Sequence, residues 1–248
     1  MTPKALSRTA TILLLLTSAL PAHANNPVIA ERWRAGLKEV DQKLRAQKWE
    51  AAEKQARRVT HEIVELAGTG EGASYSLAVA SAFRAIAAAG LGKAEDAAWH
   101  WDVALNLFPD ISKTDVSPYG PVAKELQARK LRGYEGREAV RNRLEALKAR
   151  WGAEGKEVAP PRILKQPRPN LPKALAALGA NGVLVVEVII GEDGRVRDPL
   201  VLDLQGGGPA MKYVALDSLR EWRFEPAKLD GQPVAVYYVL TANFVYKR

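Results

Sequence analysis

The 248-residue chain contains no cysteine, which excludes disulfide bonds and thiol chemistry. It has only three histidines, and no two of them stand at the spacing of a metal-binding helix. It also lacks the G-x-S-x-G sequence of serine hydrolases, and its glycine run at 206–208 is not followed by the Lys-Ser or Lys-Thr of a phosphate-binding loop. We therefore expect no catalytic site, no metal site and no cofactor.

The chain also has no apolar run long enough to span a membrane, and its N-terminal apolar run is short. It extends from Ala10 to Leu20, after Lys4 and Arg8, and is followed by a small-x-small sequence over residues 22–24. This pattern predicts a secretory signal peptide over residues 1–24. The rival interpretation is a retained membrane anchor, although the run falls short of the roughly 20 apolar residues that span a bilayer.

The chain is moderately basic. Its formal charge of +8 falls to +6 when Lys4 and Arg8 are removed with the signal peptide. An excess of this size favours solubility and weak attraction to an anionic envelope surface, and we expect no nucleic-acid partner. We interpret the basic interval 124–150 as a solvated helix face, with lipopolysaccharide or peptidoglycan as the alternative contact.

Composition divides the rest of the chain into three parts. Residues 27–151 are rich in alanine, glutamate, lysine, arginine and leucine, which favours an all-α domain of helical hairpins. Residues 152–169 hold four prolines and favour an extended, semi-rigid linker. Residues 170–248 carry the valines, isoleucines and turn residues of a small domain with both strands and helices. The predicted fold class is α+β, with a three-stranded antiparallel sheet and packed helices in the second domain.

Part of the helical domain has the spacing of the second half of a tetratricopeptide repeat, in which small residues let paired helices approach closely. The matching positions are Gly92, Ala97, Trp101, Ala104 and Pro109. The first half departs from that repeat at Arg84, Ala85 and Ala88. We expect helix pairs over 30–67 and 74–109, capped by helices over 119–131 and 136–151. A generic bundle of α-hairpins is the alternative.

The C-terminal domain opens with the alternating apolar pattern of a strand that has one buried face. The inward positions are Leu184, Val186, Val188 and Ile190. A Glu-Asp-Gly turn at 192–194 predicts a hairpin with a second strand over 196–204. Because Pro199 has no N–H to donate, this second strand should lie at a sheet edge.

A helix over residues 209–222 should follow the glycine run. Its core-facing positions are Met211, Val214, Ala215, Leu219 and Trp222. We expect Phe224 to pack beside Trp222, and Pro226 to prevent the helix from continuing. The final strand, over 234–246, should alternate inward at Val234, Val236, Tyr238, Leu240, Ala242 and Phe244.

Three segments within residues 170–244 resemble, in order and spacing, the C-terminal domain of the TonB family. They read NLPKALAALGANGVLVVEVIIGEDGRV, MKYVALDSLREWRFEPA and DGQPVAVYYVLTANF. The positions that define the fold in this resemblance are Gly182, Asp193, Gly194, Trp222, Phe224, Pro226 and Gly231. Leu171 departs from the pattern, because the family commonly has tyrosine before this proline.

The resemblance implies a domain that captures a short segment of an envelope protein, such as an outer-membrane receptor, by adding a strand to its sheet. Strand addition needs unpaired backbone groups at an edge, not a catalytic constellation. We assign that edge to the final strand, because it contains no proline after residue 233. The side chains expected to flank the partner are Ala235, Tyr237, Val239, Thr241 and Asn243.

The N-terminal half departs from that family, which couples energy through a retained membrane helix and a proline-rich spacer. We therefore predict a periplasmic, non-enzymatic adaptor whose helical domain binds a second protein or its own C-terminal domain. The alternatives are a TonB-type energy transducer for outer-membrane transport with an uncleaved anchor, and a carbohydrate-binding or wall-associated use of the fold. Homodimer formation stays open.

We expect His61 and His100 at helix surfaces. We assign Asp193, Asp198 and Asp203 to turn and polar positions of a hairpin, not to a metal site.

The outward positions of the first and last strands are apolar at Val183, Val185, Ile189, Tyr237 and Val239. This outer apolar face should be covered by the helical domain, the linker or another subunit, unless it is merely lined by β-forming residues.

Overall fold

The computed structural model describes residues 27–67, 73–128, 145, 159–167, 169, 171–177 and 181–244. The predicted signal peptide lies outside these residues, as does the predicted helix over 136–151 except for Glu145. In the described ranges, no helix is both long enough and apolar enough to cross a membrane.

The N-terminal half consists of helical hairpins. Its helices are α1 (Pro27–Arg45), α2 (Trp49–Ala67), α3 (Ala73–Gly90), α4 (Ala94–Leu107) and α5 (121–128). The central helix is α3, which packs against α1, α2 and α4 and is buried along most of its length. The predicted helix pairs over 30–67 and 74–109 are therefore confirmed as helices. Their assignment to the tetratricopeptide repeat stays a prediction.

The C-terminal half is built from short strands and two helices. Its elements are β1 (Arg162–Lys165), α6 (Lys173–Ala177), β2 (Gly182–Ile190), β3 (Val196–Gln205), α7 (Gly208–Leu219), β4 (Arg223–Glu225), β5 (Ala227–Leu229), β6 (Gln232–Val234) and β7 (Val236–Phe244). The main sheet has the order β3-β2-β7 and is antiparallel throughout. The α+β class, the three-stranded sheet and the edge position of the strand that carries Pro199 are confirmed.

The predicted alternation along β2 is also present. Leu184, Val186, Val188 and Ile190 are fully buried, and the residues between them are half-buried. The buried face packs against α7. Because α7 also contacts α2, α3 and α4, seven of its twelve residues are buried, more than one core-facing stripe would require. The helix thus lies between the sheet and the helical half.

Two predicted boundaries were wrong. The helix α7 ends at Leu219, not at residue 222, because the N–H groups of Glu221 and Trp222 bond to carbonyls only three residues back and β4 begins at Arg223. The final strand does not include residue 234. The Asp230-Gly231 turn closes a separate small hairpin of β5 and β6, and Val234 belongs to β6.

The described part of the predicted linker is extended, as expected, and is paired. β1 runs antiparallel to β4, with Ile163 opposite Phe224, and Ala159 exchanges two backbone hydrogen bonds with Lys228. The linker therefore contacts the C-terminal domain at the turn that follows α7.

Candidate functional site

The main sheet ends in two edge strands, β3 and β7, and the two edges differ in regularity. β3 has two irregularities in its pairing with β2, and Asp198, at one of them, has a φ of +47°. Pro199 follows directly and has no N–H. Bulges and proline make β3 a poor template for a further strand.

The β3 edge is also occupied by a side chain from the helical half. Asn106, near the end of α4, donates from Nδ2 to the carbonyl oxygen of Pro199 at 2.7 Å. Its Oδ1 accepts the backbone N–H of Val201, also at 2.7 Å. One amide side chain therefore pairs with two outward backbone groups of β3, the Pro199 C=O and the Val201 N–H, which flank Leu200. The helical half therefore contacts the C-terminal domain at this edge.

Three charged contacts join α4 to the C-terminal domain around this point. Glu95 accepts hydrogen bonds from Arg195 at 3.1 Å and from Arg197 at 3.3 Å. Asp96 forms an ion pair with Arg220. Neither these residues nor Asn106 carry a local sequence signal for the contact, because their partners lie about a hundred positions away along the chain.

The β7 edge presents a regular row of backbone groups. The Gly191 N–H donates to the Arg195 carbonyl, so the backbone groups of Gly191 point toward β3. Backbone groups alternate sides along a strand, so the odd-numbered β2 residues also point toward β3 and the even-numbered ones point toward β7. β7 pairs with β2 in unbroken register. Val239, Thr241 and Asn243 therefore direct their backbone N–H and C=O groups away from the sheet.

The predicted flanking side chains lie along this edge. Val239 is 54% exposed, Thr241 and Asn243 are exposed, and Tyr237 is half-buried. Ala235 is also half-buried but precedes β7, between β6 and the final strand. Among the strands that the structure describes, only β2 pairs with β7. The assignment of these residues to partner binding stays a prediction.

The fold-defining residues join the hairpin to the turn after α7. Gly194 has a φ of +72°, and its carbonyl accepts the Phe224 N–H at 2.9 Å. A Cβ at this glycine would overlap the Phe224 carbonyl, so no larger residue fits. Asp193 accepts two hydrogen bonds of 2.7 Å from Arg197, which lower its pKa to about 2.

The aromatic pair after α7 forms the base of this corner. Trp222 and Phe224 are both buried, with ring centroids 6.3 Å apart. Phe224 also lies 6.3 Å from Tyr238 of β7, in an edge-on arrangement. The pair therefore fixes the path of the chain from α7 to the final strand. Pro226 follows β4, and Gly231 has the positive φ of +80° that the β5–β6 turn requires.

His61 and His100 differ in their surroundings. His61 is exposed, as expected, but the expectation that His100 lies at the surface was wrong. His100 is buried, because α4 is covered on this side by the C-terminal domain. Burial and the nearby charges of Arg84, Arg220 and Arg57 hold the pKa of His100 well below its ordinary value. Across the described residues, no cluster of three or more acidic or histidine side chains is arranged to hold a metal ion.

The outer apolar face of the sheet is partly exposed. Val183, Val185 and Ile189 are half-buried, and Val239 is more than half exposed. Among the described elements, the helical half packs against β3 and α7. A cover from the helical domain, the linker or another subunit stays a prediction, as does the alternative of a face merely lined by β-forming residues.

Comparison with known proteins supports the assignment of the C-terminal half. A family model described as Gram-negative bacterial TonB protein C-terminal matches residues 167–246. No curated protein matches the chain. The match agrees with the coarser functional expectation, a protein-binding domain of the cell envelope. Residues 167–246, which contain the sheet, the corner and the β7 edge described above, are assigned to a TonB-type C-terminal domain.

Proposed function

We propose that this chain is a periplasmic, non-enzymatic adaptor that binds a protein of the envelope by adding one of its segments to β7. The partner chemistry is that of an extended peptide, such as the periplasmic segment of an outer-membrane receptor. In this proposal the signal peptide is cleaved after residue 24, and the two domains extend over 27–151 and 170–248 with the linker between them.

One observation carries the proposal, namely the difference between the two edges. At β3, Asn106 already bonds to the outward groups of Pro199 and Val201. At β7, the register with β2 leaves the backbone groups of Val239, Thr241 and Asn243 directed outward. An added strand would gain main-chain hydrogen bonds at β7 in a regular ladder.

The side chains along β7 favour a partner segment that has both apolar and polar residues. Val239 offers exposed apolar surface, while Thr241 and Asn243 add polar groups further along the strand. Since affinity in strand addition comes mainly from the backbone, these side chains would adjust specificity.

A proline substitution tests the proposal at the backbone. Thr241→Pro removes one outward N–H without breaking the ladder with β2, and Thr241→Ala is the matched control that keeps the N–H. The probes are synthetic peptides that cover the periplasmic segments of the outer-membrane receptors of the same bacterium. We expect binding, with NMR shifts along 237–243, to the parent and to Thr241→Ala but not to Thr241→Pro.

The control for folding is the thermal transition, which should be similar in all three proteins. Peptide binding that survives in Thr241→Pro, or NMR shifts confined to the helical half, would contradict the proposal. Mass spectrometry of the protein from the periplasm would report separately on export.

A further inference from the structure

The amide of Asn106 is held in one orientation by three hydrogen bonds. Nδ2 donates to the Asp102 carbonyl in the preceding turn at 2.9 Å and to the Pro199 carbonyl at 2.7 Å. Oδ1 accepts the Val201 N–H at 2.7 Å. A flipped amide would place its oxygen against two carbonyls and its NH₂ against an N–H, so the network admits only this orientation.

Asn106 bonds to the backbone groups of β3 that a further strand would otherwise pair with. Val201 lies opposite Val186, whose own backbone groups point toward β7, so Val201 points away from β2. Pro199, two positions earlier, presents its carbonyl on the same side. Unpaired groups of this kind are what makes a sheet edge attract another strand. Asn106 therefore stands in for one residue of a neighbouring strand.

A second contact fixes α4 along the same edge. Glu95, eleven residues before Asn106 on α4, bonds to Arg195 and Arg197. Eleven helical residues span about 16 Å, and the segment from Arg195 to Val201 spans about 20 Å, so helix and strand edge run alongside each other. The Lys212 ammonium adds a bond of 3.3 Å to the Asn106 carbonyl.

From this geometry we infer that α4 is a built-in partner of the β3 edge, and that Asn106, together with the bulges and Pro199, closes this edge to strand addition and leaves β7 as the pairing edge. The inference rests on the proposed function for the use of β7. The occlusion of β3 is independent of it. The bulges and Pro199 weaken β3 as a template, but the Pro199 carbonyl and the Val201 N–H would still be available to another strand. Removing Asn106 and Glu95 together should therefore let β3 pair with an extended strand more readily than in the parent, including that of another copy.

The first test measures the hydrogen bond itself in the full chain. Asn106→Ala should speed amide hydrogen exchange at Val201 at least tenfold, without a similar change at Val186 on the central strand. The matched control is Gln127→Ala, which removes a side-chain amide that also bonds to two backbone carbonyls, those of Ser112 and Thr114, inside the helical half. Unchanged exchange at Val201 in Asn106→Ala would overturn the inference.

The second test measures pairing of the edge. Because the chain has no cysteine, single substitutions Leu202→Cys on β3 and Val239→Cys on β7 give unique thiols at positions of nearly equal exposure, 53% and 54%. In an Asn106→Ala, Glu95→Lys background, oxidative disulfide dimers through residue 202 should form at least fivefold faster than in the parent background. The rate through residue 239 should stay within twofold.

The two proposals fail in different ways. A rate through residue 202 that does not rise, although the Val201 amide has lost protection, would show that β3 does not accept a strand and would overturn the inference alone. Failure of peptides to bind at β7, with the rise at residue 202 intact, would overturn the proposed function alone. If the Asn106→Ala, Glu95→Lys variant does not fold, the single substitution Asn106→Ser replaces it. The rates of disulfide dimer formation through residues 202 and 239 are then compared in that background.

Discussion

Arg84 on α3 donates a 2.8 Å hydrogen bond from Nη1 to the phenol oxygen of Tyr213 on α7, across 129 residues of sequence. Both side chains are only 7% exposed. The guanidinium also lies 3.6 Å from Glu53, which pairs with Arg57 as well. Burial raises the pKa of Tyr213 to about 12. The helical half thus buries a charge that the C-terminal domain helps to satisfy, which couples the stabilities of the two halves.

Tyr213→Phe should destabilise the protein by about 1.5–3 kcal/mol, because it removes a hydrogen bond to a buried charged group without changing the ring. The measurement is chemical denaturation monitored by tryptophan fluorescence. Tyr75→Phe is the matched control. The Tyr75 hydroxyl is buried with no hydrogen-bond partner in the described structure, so its removal should cost nothing. Equal losses in the two variants would contradict the role of the Arg84 contact.

Trp222→Ala should cost about 3–5 kcal/mol, because it leaves a cavity under the corner beside Phe224. A loss of this size would consume much of the stability of a small domain. Val239→Ala, at an exposed position on β7, should change stability by less than about 0.5 kcal/mol. An unchanged thermal transition in Trp222→Ala would show that the indole does not support the corner.

Local chemistry in the sequence was sufficient to predict the sheet. The alternation along residues 184–190, the turn at 192–194 and the proline at 199 each act on neighbouring residues, and all were placed correctly. The end of α7 was misplaced because Trp222 is buried like a helix residue, although the helix stops three residues earlier. Burial alone does not distinguish a last helical position from a packed turn.

The interface between the halves could not be predicted in the same way. Asn106 and Glu95 on α4 have no local signal, since a polar residue on a helix usually faces water. Their importance comes from β3, which lies about a hundred residues away along the chain and meets them only in the folded structure. For the same reason His100 was placed at the surface, because a helix alone would leave it there.

Export should yield a protein that begins at Asn25, because the small residues at 22 and 24 fit a signal-peptidase site. Intact-mass measurement of the periplasmic protein checks this. Ala24→Arg should block cleavage and keep the protein in the membrane fraction, whereas Ala24→Ser should be processed normally. An intact N-terminus in the parent protein would favour the retained anchor of an energy transducer.

The stability of the fold should fall as pH decreases below about 6.5, and His100 should account for part of this fall. In the folded protein, burial and the charges of Arg84, Arg220 and Arg57 lower the pKa of His100. The unfolded chain therefore binds a proton near pH 6.5 that the folded chain does not, so protonation favours unfolding. The slope should approach about 1.4 kcal/mol per pH unit until the pH reaches the folded pKa.

Denaturation between pH 7.5 and 5.5 measures this contribution as a difference between variants. His100→Gln should flatten the pH dependence, because glutamine has no proton to gain, whatever its effect on stability at pH 7.5. If His100→Gln retained the full slope, protonation of His100 would not cause the loss of stability. The burial of His100 on α4 beneath the C-terminal domain would then have no effect on the pH dependence of folding.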